Sequence, residues 1–147
     1  HLVTDPALMT SVVNQSLLPV LCSHCRVPAR EHLGQLNSAL VQHLRDLEAI
    51  DETYLKGPGC PHCKGLGITG RTVVAETLLT DLEFMRVFNG QGASAARRHW
   101  VKEMGGITKT AHTIIKLKQG LVDPRHAEMT VGPLDFDRQI LELAHAE

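Results

Sequence analysis

Four cysteines fall in two C-x-x-C pairs, Cys22-Ser23-His24-Cys25 and Cys60-Pro61-His62-Cys63, and no cysteine is left over. Two intervening residues put both sulfurs of a pair on one tight turn, facing a common centre. A fold that brings the two turns together makes a tetrahedral thiolate site, and the ion that such a site takes is zinc. The bland alternative is two disulfides or four unrelated buried thiols. A C-x-x-C pair closes on itself only with strain, outside redox motifs, and no thioredoxin-like βαβ pattern stands beside either pair. With Cys22, Cys25, Cys60 and Cys63 as ligands, the metal has no open position for water or substrate. The site is therefore expected to be structural, and no catalytic residue is nominated. His24 and His62 lie inside the pairs and could each replace a sulfur. Four thiolates already saturate zinc, so both are read as exposed turn residues or as donors near the sulfurs.

Four thiolates on a divalent ion carry a formal double negative charge, which nearby donors and cations should offset. Arg26, Lys64 and Arg71 stand in sequence where they could do so. Arg71 and Glu76 could pair with each other or with a neighbouring subunit, and are read as solvated surface charges in preference to a lone ion pair. Gly65, Gly67 and Gly70 follow the second pair and permit positive φ and close backbone approach around a metal turn. The same stretch superficially matches a nucleotide-binding G-x-G-x-x-G. It follows a metal turn instead of a strand and opens no helix, so the required context is missing. No G-x-x-x-x-G-K-[ST] phosphate loop occurs anywhere in the chain.

The elements that must hold these turns can be read from periodicity and caps. Asp5-Pro6 reads as the start of a helix with Leu8, Met9, Val12, Val13 and Ser16 on one face, ended by Pro19. Leu18 to Leu21 then runs extended into Cys22. Between the pairs, Leu33, Leu36, Leu40, Leu44 and Leu47 recur at steps of three and four, the core stripe of an amphipathic helix. A short strand is expected over Glu52 to Lys56, and Gly57-Pro58-Gly59 turns the chain toward Cys60. Thr72 to Leu78 is β-rich. Thr80-Asp81-Leu82-Glu83 is a capping box for a short helix closed by Asn89-Gly90. Further helices are expected over Ser94 to Met104, over Thr108 to Gln119, and from Asp123-Pro124 to Gly132-Pro133. The tail from Asp135, with Phe136, Ile140, Leu141 and Leu143, reads as a last helix.

Composition agrees with a small packed domain. The 147 residues hold one Trp, one Tyr and three Phe, so the core must be aliphatic. The formal net charge is −1, which gives no overall electrostatic footprint for nucleic acid. No apolar run approaches a membrane span, no signal peptide opens the chain, and paired thiolates as ligands suit a reducing cytoplasm. The chain starts at His1 without Met and is read as part of a longer protein. The expected architecture is mostly α with a small β lobe bearing the zinc. Residues 1–78 would form a helix plus the tetracysteine lobe, and residues 79–147 a C-terminal helical subdomain.

Three stretches together resemble the C-terminal region of the type II secretion and type IV pilus assembly ATPases. The first runs from Asn14 to Cys25. The second is Gly59-Cys60-Pro61-His62-Cys63-Lys64-Gly65-Leu66-Gly67-Ile68-Thr69-Gly70-Arg71 followed by Glu76, similar to the family's G-C-x-x-C-x-G-x-G-x-x-G-R, strand and glutamate. The third is Met104-Gly105-Gly106-Ile107-Thr108 and then Gly120. The chain departs from the pattern at Leu18 and Pro19, where the family has Arg or Lys, at Gly106, where it has Met, and in the tail from Leu134. Those departures leave open whether the system is a secretion machine, a type IV pilus or a conjugative pilus. The resemblance implies a cytoplasmic, hexameric motor at the inner membrane, acting on a platform protein. ATP and Mg²⁺ would bind a RecA-like core that these residues lack. This chain would then be a zinc-bearing assembly and docking module that does not itself hydrolyse ATP. Two other readings share the cysteines. One is an Hsp40-like chaperone module, which carries several C-x-x-C-x-G-x-G copies where this chain has one. The other is a nucleic-acid-binding zinc ribbon, which would want clustered cations with aromatics at the metal.

Overall fold

The computed structural model describes residues 9–138. Its longest elements are two antiparallel strands, β1 (Ser11–Leu21) and β4 (Ile68–Leu79), paired from Ser11 opposite Leu79 to Val20 opposite Gly70. The register shifts before Leu21, which lies opposite Ile68. Two-residue strands β2 (Val27–Pro28) and β3 (Tyr54–Leu55) make a second small sheet. Five α-helices are present among the described residues: α1 (Ser38–Asp46), α2 (Leu82–Gln91), α3 (Ala93–Lys102), α4 (Lys109–Lys118) and α5 (Pro124–Val131). The chain is thus mixed α/β and not mostly α.

The largest correction falls on β1. The helix expected from Asp5 is a strand from Ser11 onward, and Asp5, Pro6 and Leu8 lie outside the described residues. Apolar residues at Met9, Val12 and Val13 mimic a helical face, but the same stretch also alternates. Ser16 and Leu18 turn inward with Thr72, Val74 and Glu76 of β4, while Val13, Leu17 and Val73 face outward and are exposed. A ladder eleven pairs long, rich in β-branched residues, outweighs any local helical preference. Pro19 is tolerated because β1 has a strand on one side only, so a missing N–H need not break the ladder.

Two clusters form the core. Leu18 and Val74 on the inner face of the ribbon pack with Leu40 and Leu44 of α1, Leu117 of α4, and Val122, Ala127 and Leu134. The Leu stripe is core as expected, although its first residue, Leu33, sits in a separate 3-10 turn (Leu33–Gln35). The second cluster, Phe84, Met85, Ala96 and Trp100, joins α2 to α3.

Helix starts follow side-chain caps. Asp81 accepts from the Phe84 N–H at 2.8 Å, so α2 is capped one residue later than the expected box, and Thr80 instead donates to the Met9 carbonyl. The helix ends at Gly92, past Asn89-Gly90. Thr108 caps α4 through the Ala111 N–H, and Asp123 caps α5. Of the expected tail helix only the turn at Phe136 to Arg138 is described, and Ile140, Leu141 and Leu143 lie outside it. No helix among the described residues is long and apolar enough to cross a membrane.

Candidate metal centre

Each cysteine pair is delivered by a strand end. β1 runs directly into Cys22, whose N–H bonds the Gly67 carbonyl at 3.0 Å, and the chain reverses as Arg26 N–H donates to the Cys22 carbonyl at 2.9 Å. The second pair occupies a 3-10 turn, Pro61–Cys63, closed by Gly65 N–H on the Cys60 carbonyl at 3.0 Å. Gly59, at φ +97°, brings this turn against the Gly65 backbone, where any Cβ would overlap. Only glycine serves there. β4 then starts at Ile68 and returns alongside β1, so the ribbon fixes both turns at one end of the molecule.

The four sulfurs all lie within 4.8 Å of one another. Cys22 and Cys60 are 3.8 Å apart, as are Cys25 and Cys63, and Cys60 and Cys63. A disulfide would need about 2.05 Å, and all four cysteines are free. A tetrahedron with metal–sulfur bonds of about 2.3 Å has edges of about 3.8 Å. The donor set therefore fits a metal ion held by four thiolates. Cys22 and Cys63 are buried, which shields the cluster from solvent on one side.

The backbone also prepares the sulfurs. Cys63 Sγ accepts from the N–H groups of Cys60 at 3.2 Å and Gly67 at 3.1 Å. Burial works against its thiolate, but these donors and the neighbouring sulfurs outweigh it, and the thiol falls to about 6. Cys25 goes the other way. Burial and its contacts with Cys22, Cys63 and Cys60 push it up to about 12, against a single opposing donor at Gly59. Cys63 is thus prepared to bind as thiolate. The N–H groups of Cys60 and Gly67 are the charge-offsetting donors that sequence reading had sought among side chains.

The cations have other places. Arg26 donates to the Gly120 carbonyl and lies over the Tyr54 ring at 4.1 Å, tying the first cysteine turn to the end of α4. The Lys64 and Arg71 side chains are exposed and make no hydrogen bond or ion pair among the described residues. His24 and His62 are exposed as expected, and their rings meet at 4.1 Å between centroids. Glu76 is no solvated surface charge. It accepts from the Asn14 side chain and the Lys109 N–H, both at 3.0 Å, and pairs with Arg97 at 3.4 Å. Five residues along one strand, Arg71 and Glu76 point to opposite faces, which forbids their pairing. Asp123 and its partners were likewise missed. Its carboxylate is fully buried and accepts from Lys56 N–H and three Arg125 groups, joining α5 to the strand before the second turn. The one sequence signal for it was Asp-Pro, which announces a cap and nothing about Lys56.

Fold and site together define a mixed α/β chain whose paired strands carry a four-sulfur lobe able to hold a metal ion. The chain belongs to the family described as type II/IV secretion system protein, whose model matches residues 4–129. No curated protein matches the chain.

Proposed function

We propose that this chain is the zinc-bearing C-terminal module of a hexameric, ATP-hydrolysing motor that powers type II secretion or assembly of a type IV or conjugative pilus. The observation that carries the reading is the gathering of four sulfurs within 4.8 Å of one another in a secretion-system family chain. In this reading Cys22, Cys25, Cys60 and Cys63 hold zinc, which cross-links the strand ends of β1 and β4 and supplies folding energy in place of chemistry. A site of this kind contributes on the order of 10 kcal/mol. ATP and Mg²⁺ bind an upstream RecA-like core. The module packs subunits and docks the inner-membrane platform protein on the cytoplasmic side.

The experiment is elemental analysis beside nucleotide titration on the chain as purified without chelator. About one zinc per chain is expected, with no micromolar ATP binding. Folded protein with clearly less than half an equivalent of zinc would overturn the site, and tight nucleotide binding would overturn the division of labour between module and core.

A further inference from the structure

Charge in this chain is segregated. Residues 10–30 and 53–75, which contain both cysteine turns and most of both long strands, hold Arg26, Arg30, Lys56, Lys64 and Arg71 and not one Asp or Glu; all 16 acids lie elsewhere. Two of these cations are already spent. Arg26 is held by Gly120 and Tyr54, and Arg30 lies near Glu31 and Asp51. Lys64 and Arg71 are not, and both line one open groove of about 540 Å³ beside the second cysteine turn. Leu66, 60 % exposed, Ile68 and His62 line the same groove. Neither cation contacts a sulfur, so neither serves the metal directly.

We infer that this groove is a docking site for an acidic peptide segment of a partner protein, one that alternates carboxylates with aliphatic side chains. The inference rests on the reading of this chain as a docking module and says which surface docks and what it recognises. Lys64 and Arg71 supply the charge complement, and Leu66 and Ile68 supply apolar contact that the partner must match. A polyanion such as nucleic acid would use the cations but leave Leu66 and Ile68 without a partner, and the lobe offers it no free Trp, Tyr or Phe for stacking. Anionic lipid headgroups could engage the same two cations, and the vesicle arm of the test below reads them separately.

The test is fluorescence anisotropy of zinc-loaded chain with a labelled peptide of alternating Glu and Leu. Controls are the Gln-Leu and Glu-Ser peptides, vesicles containing phosphatidylglycerol, and a single-stranded oligonucleotide. The Glu-Leu peptide should bind best, and added salt should weaken it. The pair K64E and R71E should weaken it by roughly tenfold or more, and Leu66→Ser should weaken it with a smaller change in salt dependence. Zinc content and far-UV spectra of each variant, unchanged from the parent, confirm folding; should the double charge reversal fail that check, Lys64→Gln with Arg71→Gln replaces it. Equal affinity for the Gln-Leu peptide, indifference to both sets of variants, or tighter binding of vesicle or oligonucleotide overturns the inference. In each of those outcomes the zinc equivalent still reports separately on the proposed function.

Discussion

Asp123 carries a buried charge by surrounding it with donors, and the consequence is a predictable pH response. Burial opposes its ionisation, but Arg125 and the N–H groups of Lys56 and Arg125 more than compensate, and the carboxyl lies below its usual range. Glu76 is lowered in the same direction: burial opposes, while Lys109 N–H, Asn14 and Arg97 prevail. A carboxyl whose folded pKa is depressed stabilises the fold fully above its unfolded value, about 4, and loses that stabilisation as pH falls from there toward the folded pKa. The parent's lead in urea midpoint over Asp123→Asn should therefore hold steady at mildly acidic pH and shrink below about pH 4, a comparison from which the pH dependence of the thiolate site cancels. A lead that stays unchanged through that acid limb would contradict the assignment. Asp123→Ala leaves Lys56 N–H without its acceptor and Arg125 with only the Gln35 side chain. Its cost should be about 2 kcal/mol, less than for a fully buried pair because the Arg125 side chain is 36 % exposed.

At the scale of elements, the junction of α3 and α4 makes a sharp demand. Gly106 stands where the resembling family has Met, and a Cβ there would collide with the Trp100 ring. Trp100 is the only tryptophan and a member of the α2–α3 cluster. Gly106→Ala should displace the ring, cost about 1–3 kcal/mol through overpacking, and shift Trp emission to the red in native protein. An unshifted spectrum with unchanged stability would show that the ring yields freely. The way α2, α4 and α5 announce themselves explains which parts of the fold were legible in the sequence. Asp81, Thr108 and Asp123 cap through side chains a few residues from the N–H they accept, so the signal is local. β1 was misread because its partner strand is remote in sequence, Leu79 standing opposite Ser11 and Ile68 opposite Leu21, and nothing between Ser11 and Leu18 reports that Glu76 and Val74 wait opposite. The gathering of the four cysteines was legible because C-x-x-C spacing is itself a local geometry. The convergence of the turns, and the N–H donors from Cys60 and Gly67 on Cys63, depend on the same ribbon that the local pattern hid.

For the whole molecule the question is how far loss of the metal travels. The proposed division after Leu78 separates the two cores unequally. Phe84, Met85, Ala96 and Trp100 form a cluster within α2 and α3 whose ties to the strands run through Leu78 and the Glu76–Arg97 pair, at the end of β4 away from the cysteine turns. Leu117 of α4 and Ala127 of α5, in contrast, share their core with Leu18, Leu40, Leu44 and Val74. Arg26 and Asp123 add polar ties between the cysteine turns and the ends of α4 and α5. Cys60→Ser should therefore speed hydrogen exchange across residues 22–70, raise it moderately in α4 and α5, and leave α2 and α3 near their original protection. Uniform loss of protection would mean a single cooperative unit. Protection lost only at residues 22–70 would mean that the shared core holds without the ribbon ends. In full-length protein the same variant separates architecture from chemistry. In the proposed reading zinc is saturated by four sulfurs and has no position for substrate, so hydrolysis by the proposed hexameric motor should fall only in proportion to the loss of assembly. Turnover measured on hexamers isolated by size should then equal the parent's per subunit. If the hexamer stays intact while hydrolysis vanishes, the metal lobe is coupled to the catalytic core, and a purely structural role for it is wrong.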